Sequence, residues 1–453
     1  MQKRDLPSIN YILDKLIVEK NNIPREYMLL IIKNKLSHIR NLSDFNLKSL
    51  SAKKIVNEII NDITILKHNS LSKVINGTGI VLHTGLGRAP ISKKILLDMA
   101  DDLSGYTNLE FDILSGKRGE RLNHVDNLIS SIVGSESSIV VNNNAAAVML
   151  SINTLSESKE IIISRGQLIE IGGSFRIPDV IHKSGAILKE VGTTNRTHLN
   201  DYEKAINNNT GAIMFAHTSN YKIEGFTKEV KIKELVKLSK KYNLPLIVDL
   251  GSGALLNFNK LNLPSEPLVK EIVDLGVTIV SFSADKLIGG PQSGIICGKK
   301  NTIKKLHINP LYRSFRCDKF TISILERSLR MHNFENPNYE IQTLKLLSSS
   351  RKILKNKGNK ILEKVSKDKI IEYGISLEDS LVEAGSGSLP IKSIKSICIK
   401  FESSKVKSSE ISKKFRSLSI PIIGYINKNN FHIDLKAILK DQINYISSSI
   451  NNI

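Results

Sequence analysis

Hydrophobic and polar positions follow two different periods along this chain. Near the N-terminus the period is helical. Ile9, Ile12, Leu13, Leu16 and Ile17 share one face, with Ser8 placed as N-cap. Asn22-Ile23-Pro24 opens a second helix carrying Tyr27, Leu30, Ile31 and Ile32, and a third covers roughly 51–66. Further on, short β-branched and apolar runs take over, at 138–141, 160–164, 186–191, 211–215, 244–249, 277–282 and 293–297. Helical stretches separate most of them. That rhythm predicts an α/β fold with a mostly parallel doubly wound sheet. Beyond it, a strand at 396–401, a helix at 408–418 and paired strands at 422–426 and 430–435 predict a small α+β domain. The expected division is a helical domain 1–68, a large domain 69–330 and a C-terminal domain 331–453, with His68-Asn69-Ser70 as linker.

The strand ends carry the candidate chemistry. After 277–282 come Ser283-Ala284-Asp285-Lys286 and then Gly289-Gly290-Pro291. A lysine just past a buried strand, with a hydroxyl three residues before it, can be desolvated and rigidly held. Its amine can then form a Schiff base. Pyridoxal phosphate is the cofactor that most often uses such a lysine. A solvated lysine at a loop edge is the commoner fate, so a second part is needed. Asp249 supplies it, at the end of the run 244–249 and followed by Gly251-Ser252-Gly253. A carboxylate there can face a pyridine nitrogen, although an N-cap aspartate is an equal reading until Lys286 is weighed with it.

Other stretches extend the site. Asn142-Asn143-Asn144-Ala145 links the run 138–141 to an alanine-rich helix start, whose free amides can cradle a phosphate. Four glycines between Gly77 and Gly87 imply close backbone approach, with Arg88 beside them. Lys117, Arg118 and Arg121 stand on a polar loop, and 172–176 and 217–220 are strand-end loops. Arg313 and Arg316, three apart, would share a helix face and grip one oxyanion. Ser283 and Asn220 complete the expected cofactor-binding set.

Composition narrows the class. The chain has 453 residues, 41% hydrophobic and 24% charged, and a net charge of +21, which draws polyanions. Residues 1–68 carry twelve Lys and Arg against seven Asp and Glu, with Lys33, Lys35, Arg40, Lys48, Lys53 and Lys54 clustered. They read as a solvated face or as a docking module for an anionic partner. No apolar run reaches the ~18 residues of a membrane helix, and no secretory signal opens the chain. Cys297, Cys317 and Cys398 are far apart, without metal spacing. A cytoplasmic protein without metal is expected.

The stretches NGTGIVLHTGLGRAP, YTNLEFDILSGKRGERLNHV, VVNNNAAAVML, SRGQLIEIGGSFRIPDV, EVGTTNRTHLNDY, HTSNYKIEGF, VDLGSG and SFSADKLIGGPQSG together resemble bacterial selenocysteine synthases, the L-seryl-tRNA(Sec) selenium transferases. Gly77, Gly85 and Ala284 stand where the family pattern has alanine, asparagine and glycine. The resemblance implies a fold-type I pyridoxal-phosphate enzyme. Lys286 matches its Schiff-base lysine, Asp249 the pyridinium partner and Asp285 an active-site support. Asn143, Asn144 and Ala145 match the phosphate cradle. Arg88, Arg313 and Arg316 match the arginines for the selenium donor. It further implies tRNA recognition by 1–68, seryl-tRNA(Sec) and selenophosphate as substrates, a β-replacement, and a ring-shaped homodecamer. Two alternatives stay open at this point. One is another fold-type I lyase, which has no evident need for 1–68. The other is a non-catalytic tRNA-binding protein, which leaves the Lys286–Asp249 pairing unexplained.

Overall fold

The computed structural model describes residues 6–18, 23–41, 51–67, 69–172, 175–218, 220–221, 223–333, 337–389 and 393–453. Asn22, Lys48, His68, Gly173, Ser174 and Ser219, named above, lie outside them. The chain forms two compact units, Met1–Lys73 and Val74–Ile453.

In the first unit, α1 (Ile9–Val18), α2 (Arg25–Arg40) and α3 (Ala52–Lys67) bury one apolar stripe each. The α1 stripe includes Ile12, Leu13 and Leu16, as its spacing predicts, and Ser8 Oγ accepts from the Tyr11 amide at 3.2 Å. The stripe of α2 is Met28, Ile32, Leu36 and Ile39. Tyr27 and Leu30, which the sequence suggested for the apolar face, are exposed because the i, i+4 series starts one residue later. Lys35 of the basic cluster is spent on Glu58 and Asp62 of α3, at 3.3 and 3.0 Å.

The second unit is built on a seven-stranded sheet. Its strands are β1 (Ser137–Val141), β2 (Glu160–Ser164), β3 (Ile187–Val191), β4 (Thr210–Ala216), β5 (Leu246–Gly251), β6 (Ile279–Ser283) and β7 (Gly294–Gly298). The spatial order is β1-β7-β6-β5-β4-β2-β3. β7 runs antiparallel to both β1 and β6, and the other pairings are parallel. Strands covered on both faces must be apolar throughout, and β4, β6 and β7 are buried at every position. β5 lies inside the sheet between β4 and β6, with Asp249 near its C-terminal end. α4 (Asn144–Ser156) starts two residues after β1. A Cβ on Gly294 would strike the carbonyl oxygen of Asn143, so glycine lets β7 pass close beneath the α4 start.

A second core lies under an antiparallel sheet of β8 (Ile375–Val382), β9 (Ile394–Phe401), β10 (Tyr425–Asn427) and β11 (Asn430–Asp434), in the order β8-β9-β11-β10. Phe401, Phe415 and Phe431 pack together there, with ring centroids 5.3 to 5.7 Å apart. The glycine-rich stretch runs onto this sheet. Asp434 N donates to Gly77 O at 2.7 Å. Gly79 has φ +81°, and a Cβ there would lie 2.7 Å from Asp434 Cγ. The expected close approach is therefore between backbone and β11. Cys297, Cys317 and Cys398 are free and buried, and burial pushes their thiols up to about 12, 12 and 11. Among the described residues no helix is long and apolar enough to cross a membrane.

Candidate active site

Asp249 and Lys286 come from neighbouring parallel strands, so the sheet itself sets their spacing. Three donors converge on one oxygen of Asp249. Asn144 Nδ2 donates to Oδ1 at 2.8 Å, Ser281 Oγ at 3.1 Å and the Gly251 amide at 3.2 Å. Among the described residues Oδ2 receives no hydrogen bond. Burial raises the pKa of this carboxyl, against the Asn144 and Ser281 bonds that lower it. A cation placed against Oδ2 would meet an acceptor already held in place.

Lys286 lies on the turn after β6 and is 8% exposed. Its amine has no hydrogen-bond partner among the described residues. Burial lowers its pKa, and the nearby charges of Asp249, Asp285 and Glu266 pull upward while Arg88 pushes down. A buried amine biased toward its neutral form is a nucleophile and a base. Ser283, the last residue of β6, is buried beside this turn.

Asp285 is tied to Arg88, whose Nη1 donates to Oδ2 at 2.5 Å. Ala89 N donates to Asp285 O at 3.2 Å, which fastens the glycine-rich stretch to the lysine turn. Arg88 adopts φ +61°, a left-handed conformation that is uncommon for residues with a Cβ. The fixed ion pair marks a held guanidinium.

Asn143 caps α4, its side chain accepting from Ala146 N at 2.9 Å. The amides of Asn144 and Ala145 then remain as open donors at a thirteen-residue helix N-terminus. Asn144 Oδ1 and His217 Nδ1 are buried without a hydrogen-bond partner among the described residues, and the His217 amide donates to Asp249 O at 2.8 Å. Orphaned polar atoms beside Asp249 mark the place of a polar ligand.

The arginine pair is a correction. α5 (Pro310–Phe315) ends before Arg316, which has extended backbone and bridges Val141. Arg313 and Arg316 therefore do not share a helix face. Arg313 is exposed, without a side-chain partner among the described residues. Arg316 is half-buried and donates from Nη1 to Glu110 Oε1 at 3.2 Å. Phe315 O accepts from Asn142 N at 2.8 Å, which sets Arg316 beside the start of α4. Asn220 stands on an exposed turn and spends its amide on Glu170 O at 2.9 Å, so it is not brought to Asp249.

Four residues of the site escaped the sequence reading. Ser281 lies two before Ser283 on the same strand, so period-two patterning could have paired them. His217 follows β4, where the sequence marks only a strand end. Glu266 is buried and accepts from Ser252 Oγ at 2.7 Å; it sits between Pro264 and Pro267, where no periodic signal exists. Glu110 needs a contact across two hundred residues.

The family model described as L-seryl-tRNA selenium transferase matches residues 74–439. A protein of Alkaliphilus oremlandii called L-seryl-tRNA(Sec) selenium transferase is 42% identical over 99% of this chain and 98% of its own length. One of the same name from Clostridium botulinum strain Loch Maree is 41% identical over 98% and 96%. Another from Aquifex aeolicus is 42% identical over 88% and 89%. The solved structure of D-glucosaminate-6-phosphate ammonia-lyase is 18% identical, with a TM-score of 0.60 over 86% of this chain and 97% of that one. That likeness concerns the fold.

Proposed function

Because the chain belongs to the L-seryl-tRNA selenium transferase family, we propose that its strand-end cluster binds pyridoxal phosphate and carries out a β-replacement on an aminoacyl-tRNA. The enzyme converts L-seryl-tRNA(Sec) to L-selenocysteinyl-tRNA(Sec). The observation that carries the cofactor reading is Asp249, with three donors on Oδ1 and none on Oδ2 among the described residues. Asp249 would serve a bound cofactor as the acceptor for its protonated ring nitrogen. The open amides of Asn144 and Ala145 suit the phosphate, and Asn143 shapes that helix start. The amine of Lys286, without a hydrogen-bond partner among the described residues, would be the covalent attachment point.

When bound, the cofactor supplies an electron sink for charge formed at the substrate Cα. The protein's own groups handle protons and anions. Lys286 Nζ, freed by exchange with the substrate's amine and biased by burial toward its neutral form, would take the Cα proton. The carboxylates of Asp249 and Asp285 then stabilise the ammonium that results. The serine β-hydroxyl leaves with a proton as water. Selenium from selenophosphate adds at the β-carbon, and phosphorus departs as phosphate on taking up water. Arg88 and Arg316 are held guanidiniums suited to the donor's oxyanion, with Arg313 reaching it from the exposed side.

The described residues of the helical unit form no catalytic constellation, and the unit's surplus of basic residues supports binding of the tRNA. Exposed Tyr106, Phe111, Ile113 and Leu114, in and around a small hairpin, support contact with further subunits, in keeping with a homodecamer. A substrate charged on tRNA supports a cytoplasmic site of action.

The deciding experiment is selenium transfer by the purified protein to seryl-tRNA(Sec), with seryl-tRNA(Ser) as control. Transfer to neither, with the cofactor bound, would overturn the substrate assignment.

A further inference from the structure

One carboxylate sits among three guanidiniums beside Arg316. Glu110 Oε1 accepts from Arg316 Nη1 at 3.2 Å, from Arg121 Nε at 3.1 Å and also from Arg121 Nη2. Glu110 Oε2 accepts from Arg118 Nη2 at 3.1 Å. The side chain of Arg121 is only 14% exposed, and it also donates to the carbonyl of Cys317, the residue after Arg316. Arg121 above all holds the Glu110 carboxyl below the usual carboxylate range. The carboxylate is therefore ionised at neutral pH, and the cluster of three cations and one anion keeps a surplus of two positive charges.

Arg316 commits one nitrogen to Glu110. Its other N–H groups have no side-chain or backbone acceptor among the described residues. Beyond α5 nothing helical holds this residue. Its direction is set by the Val141 bridge on one side and by Glu110, braced by Arg121, on the other. A surplus of positive charge with unspent, coplanar N–H donors is what a small multiply charged oxyanion recognises.

We propose that Glu110 is a positioning residue of the selenium-donor site, holding Arg316, with Arg121 as its brace, in the orientation that receives the donor's oxyanion. This rests on the reading of Arg316 as a donor contact. Glu110 does not touch the donor. It acts through the guanidinium.

The test uses the full-length, cofactor-loaded protein in four forms: Glu110→Ala, Glu110→Gln, Arg316→Ala and the Glu110→Ala/Arg316→Ala double variant. Three quantities are read on each preparation: KM for selenophosphate, the inhibition constant of inorganic phosphate, and the rate of β-hydroxyl loss without donor. Glu110→Ala is expected to raise the first two about tenfold, as loss of a charge-assisted contact does. Glu110→Gln keeps an acceptor and is expected to raise them about threefold. The rate of hydroxyl loss moves far less than either constant. In the Arg316→Ala background, Glu110→Ala adds nothing, because the group it positions is gone. An unchanged donor KM in Glu110→Ala, or an equal further rise in the double variant, overturns the proposal. So does a matching fall in hydroxyl loss, which would mean general structural damage. If Glu110→Ala fails to fold, Glu110→Gln decides alone. If Arg316→Ala itself leaves donor KM unchanged, it is the reading of Arg316 that has failed.

Discussion

Two places in the second unit bury an acid together with a lysine, and they differ in how much of their bonding capacity is spent. In the C-terminal sheet, Asp434 accepts from Ser380 and Ser396 at 2.6 Å each, on different oxygens, and from Lys436 N at 2.9 Å. Lys436, 1% exposed, donates to Ser349 O at 2.9 Å. Lys357 donates to Leu435 O and Ile438 O at 3.1 and 2.6 Å. Burial raises Asp434 and lowers both lysines to about 8. Asp249 and Lys286 are shifted in the same directions by the same cause. What differs is the bonding left over. Asp434 has both oxygens filled and Lys436 has its carbonyl, while among the described residues nothing bonds Asp249 Oδ2 or the Lys286 amine. A perturbed acid–lysine pair is therefore a weak sign of chemistry, and unspent bonding capacity beside it is a stronger one.

The comparison breaks most visibly at the lysines. Lys286→Ala is expected to abolish the cofactor's visible absorption and to lower turnover by at least about a thousandfold. Lys436→Met is expected to keep both. Loss of the absorption in Lys436→Met, or its retention in Lys286→Ala, would reverse the assignment of the two sites. The acids come next. Asp249→Asn should slow turnover on the order of a hundredfold while binding cofactor, since a ring proton loses its counter-charge. Asp434→Asn should instead cost roughly 1–3 kcal/mol in urea unfolding, because its donors were matched to a carboxylate. Near-normal turnover in Asp249→Asn would place the nitrogen's partner elsewhere.

A third test carries the contrast to the arginines. Arg316→Ala should slow selenium addition roughly tenfold to a hundredfold and affect hydroxyl loss much less. Arg313→Ala, at an exposed and unanchored position, should cost less. Equal losses in the two variants would argue that helix geometry, and not the Glu110 contact, organises the pair. The smallest effect is on stability. Lys436 titrates near 8 when folded, against an ordinary value of 10.5. Between those values the unfolded chain holds the extra proton, so stability climbs as pH rises through this window. Lys436→Met should flatten that climb, by up to about 1.4 kcal/mol per pH unit. Urea unfolding at pH 8 and pH 10 measures it, and an unchanged slope would mean that Lys436 is not the group responsible.

Much of this frame was legible from short apolar runs. The strands at 160–164 and 138–141 emerge within a residue of their expected bounds. Asp249 and Lys286 were visible because strand ends, glycines and polar residues coincide there. Arg316 was misread because spacing of three looks helical, and nothing local shows that α5 stops at Phe315 to pair with β1. Glu110 and Glu266 were illegible for a deeper reason. Each works through a partner that only tertiary folding supplies, and an isolated acid in a loop looks like any other. Asn144 was expected to serve the phosphate through its backbone, and its side chain proved to hold Asp249 as well.

The three buried thiols have a consequence of their own. A thiol that burial pushes up to about 11 or 12 and leaves at most 3% exposed reacts slowly with alkylating reagents while the fold stays closed. Each cysteine then labels only when its own neighbourhood opens. Cys297 lies on the central sheet, Cys398 on the C-terminal sheet, and Cys317 immediately after Arg316. The native chain thus carries three built-in stopwatches, one for each sheet and one for the arginine-bearing segment. Their labelling rates, resolved by peptide mass, would rank how often each part breathes without adding any probe to the protein.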